Sequence, residues 1–212
     1  MLILLLFDYL GTFAFAISGA LKAARKEMDL FGLVVLAIVT AIGGGTLRDV
    51  LLNQRPFWLT DFTYIYLSLL GTAAVAALYR LVSRYETLLL WFDAVGLGTF
   101  TVIGASRAMG AGVELTGTVL FACLTAIGGG MLRDVLAGDV PFVLRREIYA
   151  LAAVLGALLY WSLRQWEIPN AVAAPVVVVL VTVLRLLAIH YKLGLPTLLT
   201  RDRADTAAQP PA

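Results

Sequence analysis

The chain has 212 residues, 61% of them hydrophobic and only 14% charged, with a mean hydropathy of +0.91. A soluble domain of this size carries about 25% charged residues, so the composition excludes a soluble enzyme or binding module and places the chain in a membrane. A net charge of +2 is too mild for a nucleic-acid partner, and a single cysteine, Cys123, excludes an intrachain disulfide.

A bilayer-crossing helix needs about 20 mostly apolar residues. Seven stretches qualify in chain order: Leu2 to Leu21, Leu30 to Leu52, Phe62 to Leu81, Leu88 to Arg107, Val113 to Leu136, Ile148 to Leu163 and Ala171 to Ile189. The first is greasy enough to suggest a signal peptide, but no basic residue precedes it. It also has a counterpart deep in the chain, so it reads as a retained span. The sixth is the shortest and is expected to borrow from Arg145-Arg146-Glu147 at its start. After Leu193 the tail turns polar and reads as disordered.

Orientation follows from the basic residues in alternate loops. One side holds Lys22, Arg25, Lys26, Arg80, Arg84, Arg145, Arg146, Lys192, Arg201 and Arg203; the other holds Arg55, Arg107 and Arg164. The asymmetry predicts an outer N-terminus and a cytoplasmic C-terminus.

A long passage occurs twice, offset by 85 residues. Gly43-Gly44-Gly45-Thr46-Leu47-Arg48-Asp49-Val50, ending at Pro56-Phe57, matches Gly128-Gly129-Gly130-Met131-Leu132-Arg133-Asp134-Val135, ending at Pro141-Phe142. Phe7-Asp8 falls on Phe92-Asp93, Thr40-Ala41-Ile42 on Thr125-Ala126-Ile127, and Tyr64 on Tyr149. Three spans per copy is an odd number, so the second copy enters from the opposite face. The predicted architecture is therefore all-α: an inverted three-helix repeat (1–85 and 86–168), a seventh transmembrane helix (169–192) and a polar tail (193–212).

Each triplet glycine costs about 1 kcal/mol relative to alanine inside a helix. In hydrocarbon, a weakened turn is tolerated only where its freed carbonyls face protein or water. One reading is that the second and fifth helices break or kink at Gly43 to Gly45 and Gly128 to Gly130, lining a pore. The other is close packing, because Ala37, Ala41 and Gly45, like Ala122, Ala126 and Gly130, follow the small-xxx-small pattern of touching helices.

Arg48, Asp49, Arg133 and Asp134 are intramembrane charges, each costing about 2.5–3.5 kcal/mol to insert, and such charges usually mark an ion or substrate path. Inverted symmetry allows cross-repeat pairs, Arg48 with Asp134 and Arg133 with Asp49; the alternative is snorkelling to headgroups. Asp8 and Asp93 are candidate cation-attracting carboxylates at two pore mouths, with N-terminal capping as the alternative for Asp8. Thr40, Thr46 and Thr125 are candidate pore hydroxyls. Arg185 and His190 lie near the end of the last span and read as interfacial, as do Trp58, Trp91, Trp161 and Trp166. With one terminal histidine and no Gly-x-Gly-Asp around Asp8 or Asp93, hydrolytic chemistry has no site; neither metal-ligand spacing nor a phosphate loop is present, so no cofactor or structural metal is expected.

The doubled Gly-Gly-Gly-x-Leu-Arg-Asp-Val passage, the two Phe-Asp heads and the 3 + 3 + 1 spans resemble the prokaryotic trimeric intracellular cation channels, long described as uncharacterised membrane proteins or glycine transporters. The likeness covers about residues 1–192. It implies a homotrimer in the inner (plasma) membrane, in contact with lipid, with one pore per subunit for monovalent cations, chiefly potassium. It also implies that the second and fifth spans kink at their glycines and line the pore with the first and fourth. Animal relatives serve calcium release and bind an inositol lipid through a basic motif that is absent here. The alternative function is secondary transport of a small solute such as glycine, since inverted repeats with broken helices also suit alternating access.

Overall fold

The computed structural model describes residues 2–82, 87–145, 148–191 and 193. Within them the ordered elements are all helical: α1 (Leu2–Arg25), α2 (Leu30–Leu51), a 3-10 turn at Phe57–Leu59, α3 (Thr63–Val82), α4 (Leu88–Gly110), α5 (Leu115–Leu136), α6 (Phe142–Arg145), α7 (Ile148–Gln165) and α8 (Asn170–His190). Six of these helices are long and apolar enough to cross a bilayer, and α3 is apolar over the shorter stretch Thr63–Tyr79. Two boundaries differ from expectation. The sixth span is extended at its end, to Gln165, while Phe142–Arg145 folds into the separate α6; Arg146 and Glu147 lie outside the described residues, as does the tail beyond Leu193. Lys22 and Arg25, counted above with a loop, form the last turn of α1, because the helix does not stop where hydropathy falls.

Four helices close a ring. α1 packs on α2, α2 on α5, α5 on α4 and α4 on α1, and the diagonal pairs touch little. α3 covers α1 and α2, α7 covers α5 and α4, and α8 fills the remaining groove against α4 and α7. The turns after the ring helices correspond too: Glu27 and Gly112 take left-handed φ of 55° and 76°, and Asn53 and Gly138 take 53° and 72°. Each pair is 85 residues apart, so the repeat extends to how its helices end.

The ring is tight because small residues face each other at its seams. A Cβ on Gly19 would lie 2.6 Å from the Leu36 carbonyl oxygen, and one on Gly104 would lie 2.8 Å from that of Phe121. Ala37, Ala41, Ala122 and Ala126 are all buried. Burying short side chains lets backbones approach, which gives membrane helices most of their packing contact.

The expectation that the second and fifth helices break at the glycines is corrected. Both α2 and α5 continue as α-helix through their triplets. The physical reason is tertiary: the propensity cost of glycine is outweighed by the helix contact that only glycine permits.

Candidate functional site

The seam between the two triplet-bearing helices is the crossing of α2 and α5. A Cβ on Gly44 would collide with the Thr125 carbonyl oxygen, and one on Gly129 with that of Thr40. A Cβ on Gly128 would stand 3.1 Å from the Gly44 Cα. The close-packing reading of the triplets therefore describes the observed contact. Beside it, Phe15 of α1 and Phe100 of α4, residues 85 apart, meet edge to face with centroids 5.0 Å apart. Phe15 lies over Gly96 and Phe100 over Gly11, the two rings taking the space left by equivalent glycines. Phe15 and Phe100 were not singled out from the sequence; their 85-residue offset, shared with Gly11 and Gly96, was the available signal.

On either side of this contact lies a layer of buried charge. Arg48 is 2% exposed and Arg133 fully buried, so neither snorkels. The expected cross-repeat pairs, Arg48 with Asp134 and Arg133 with Asp49, are absent among the described residues, because each arginine turns to the aspartate beside it. Arg48 Nε and Nη2 donate to Asp49 Oδ1 at 2.8 and 2.6 Å, and Arg133 Nε donates to Asp134 Oδ1 at 2.9 Å. The second carboxylate oxygen accepts a backbone N–H eight residues on, from Phe57 to Asp49 at 2.9 Å and from Phe142 to Asp134 at 3.1 Å. The arginines then lie over the rings they have helped to place, 5.7 Å from Phe57 and 5.2 Å from Phe142. The motif Arg-Asp followed by Pro-Phe is thus a local clasp, with the carboxylate shared between a guanidinium and the returning chain.

The two ends then diverge. Asp93 is fully buried and receives Arg133 Nη1 at 2.6 Å; the same nitrogen donates to Ser18 Oγ at 2.6 Å. The space bordered by Gly130, Arg133, Asp134, Phe142 and Tyr149 is too tight to admit water. Lys22, 7% exposed, adds a second cation, 3.4 Å from Asp134 and 2.7 Å from Asp139, and Lys26 also reaches Asp139 at 2.7 Å. The Lys22 and Lys26 ammonium groups hold the Asp139 carboxyl down at about 2.

At the other end Asp8, six residues into α1, is no N-cap. It is 5% exposed, and its Oδ2 accepts the Tyr64 hydroxyl at 2.9 Å. It borders a cavity of 620 Å³ with Leu2, Leu4, Leu5, Ile103, Ser106 and Arg107.

The candidate hydroxyls are engaged locally. Thr40 donates to the Leu36 carbonyl at 2.6 Å, Thr125 to that of Phe121 at 2.6 Å, and Thr46 to that of Ile42 at 2.7 Å while accepting from Trp58 Nε1 at 3.0 Å. Arg185 is corrected from interfacial to buried, 1% exposed and 4.7 Å from the Tyr149 ring centroid. Trp91 and Trp166 are exposed. No group of three histidines, cysteines or carboxylates fit to hold a metal occurs among the described residues.

With this geometry in hand, the relatives can be placed. The model of a family described as "Glycine transporter" matches the chain twice, at residues 5–80 and 90–165. A chain solved for the structural basis of conductance through TRIC cation channels superposes with a TM-score of 0.82 at 39% identity, over 91% of this chain and 95% of that one. This chain belongs to the TRIC cation channel family. Another TRIC chain, the trimeric intracellular cation channel orthologue from Rhodobacter sphaeroides, superposes with a TM-score of 0.87 at 36% identity, over 91% and 100% of the two chains. Curated relatives include the UPF0126 inner membrane protein YadS of Escherichia coli K12, 39% identical over 90% of this chain and 93% of its own length. A membrane protein of Streptomyces coelicolor is 40% identical over 91% and 89%.

Proposed function

We propose that the chain is a monovalent-cation channel, chiefly for potassium. It works as a homotrimer in the inner membrane, each subunit conducting through its own ring of α1, α2, α5 and α4. The observation that supports this most is the pair of buried charge layers at the two ends of one four-helix ring, in a fold whose solved relatives are cation channels. Residues 1–85 and 86–168 are the two inverted halves, with the N-terminus outside and the C-terminus in the cytoplasm. Asp8 and Asp93 bias the path towards cations, while Arg48, Asp49, Arg133 and Asp134 set its charged constrictions.

Conduction then requires two movements. The Phe15–Phe100 pair must part from the Gly44–Gly129 crossing, and Arg133 must leave Asp93. Threonines bonded back to the i−4 carbonyl bend helices; Thr40 and Thr125 sit just before the triplets and make Gly43 to Gly45 and Gly128 to Gly130 the places to kink. Opening there exposes Thr40, Thr46 and Thr125 and nearby carbonyls to a passing ion, replacing part of its hydration shell.

Purified protein in planar bilayers under a potassium gradient should give unitary currents that reverse at the potassium Nernst potential. Slow, saturable, ion-coupled uptake of glycine without unitary current would instead assign a solute carrier and reject the channel.

A further inference from the structure

The cavity at the Asp8 end has a mixed lining that inorganic-ion conduction does not call for. Leu2, Leu4, Leu5 and Ile103 form an apolar wall; Asp8 and Ser106 supply oxygens at its polar side, and Arg107 stands exposed at the rim. Its 620 Å³ falls within the roughly 300–1,000 Å³ of small-molecule sites. Too few oxygens face it to replace the hydration shell of a metal ion, and a wall of leucines rewards a ligand that carries hydrocarbon. The buried carboxylate disfavours anions. Arg107 is exposed at the rim, whereas Asp8 is 5% exposed and accepts a hydrogen bond from the neutral Tyr64 hydroxyl.

We propose that this cavity binds hydrophobic organic monocations of the alkylammonium class, the ammonium at Asp8 and the alkyl chains on Leu4, Leu5 and Ile103, and that it does so at this end of the ring alone. The equivalent carboxylate at the far end, Asp93, is fully buried and already paired with Arg133 at 2.6 Å. In a conducting protein, such a ligand is a one-sided blocker. That consequence rests on the channel reading; the binding itself does not.

The probe is tetrabutylammonium. Isothermal titration of the detergent-solubilised full chain should show saturable binding, weakened about tenfold or more by Asp8→Asn. Asparagine still accepts the Tyr64 hydroxyl, so this variant is built to keep the fold. Ile103→Trp, which fills the cavity, should weaken binding by a different route. In planar bilayers the ion should block from one compartment only, with the same loss of potency in Asp8→Asn. Unchanged binding in both variants, or equal block from both sides, overturns the site. Binding without any potassium current upholds the site and counts against the channel.

Discussion

The two ends of the four-helix ring carry the same inherited residues and use them differently. At one end Arg133 reaches past Asp134 to Asp93 and Ser18, and Lys22 and Lys26 converge on Asp139; the result is closed. At the other, Arg48 contacts Asp49, Asp8 is held by Tyr64, and a cavity remains. Three exchanges at equivalent positions account for the difference: Ser18 against Ile103, Lys22 against Arg107, and Asp139 against Gln54. Where Ser18 gives Arg133 a polar partner across the ring, Ile103 offers Arg48 none. Where Asp139 holds Lys22, Gln54 has no charge for Arg107. A duplicated scaffold can thus acquire a sealed end and an open one through a few side chains, with its helices unchanged.

The sharpest way to break this comparison is to remove each arginine. Arg133→Ala strands Asp93 without a cation in a dry site and should cost about 3–5 kcal/mol, read as thermal unfolding in detergent. Arg48→Ala should cost distinctly less, since Asp49 keeps the Phe57 N–H and Asp8 borders the cavity. Equal losses would mean the two ends are energetically alike. Next come the central glycines: Gly44→Ala and Gly129→Ala each push a methyl into backbone and should cost about 1–3 kcal/mol. Gly43→Ala meets only the movable end of Leu132 and should melt close to the parent.

Smaller effects belong to the closed end's outer latch. Asp139 is half exposed, so Asp139→Asn should lower stability by less than about 1 kcal/mol. The sign of its pH dependence is fixed by its lowered carboxyl. The contribution is complete above the unfolded value of about 3.9 and is lost as pH falls towards about 2. Acid melting curves of Asp139→Asn should be flatter than the parent's in that window. Finally, Gln54→Asp supplies the open end with the missing latch. It should leave the melting temperature within error and reduce unitary potassium current; an unchanged current would show that Gln54 does not set how open that end is.

Much of the fold was legible because bilayer helices must be long and apolar, and because an 85-residue offset is visible in a single chain. The charged positions were legible because intramembrane charge is expensive. Their partners were not. Asp93 and Arg133 are 40 residues apart on different helices, and no periodicity connects them. The glycines illustrate the opposite limit: intrinsic propensity argued for a break, whereas close contact with the Thr125 and Thr40 carbonyls at the α2–α5 seam keeps both helices continuous. Lys22 was hidden by its position at the edge of a span, where a basic residue reads as a topology signal although its ammonium turns back onto Asp139.

The clasp of Arg, Asp and returning Phe pairs its own two charges within a dozen residues, whatever further partners one copy has added. A segment so balanced is indifferent to which leaflet it points towards. Each copy therefore carries its own counter-charge into the hydrocarbon, and neither depends on the other half of the chain for that first pairing.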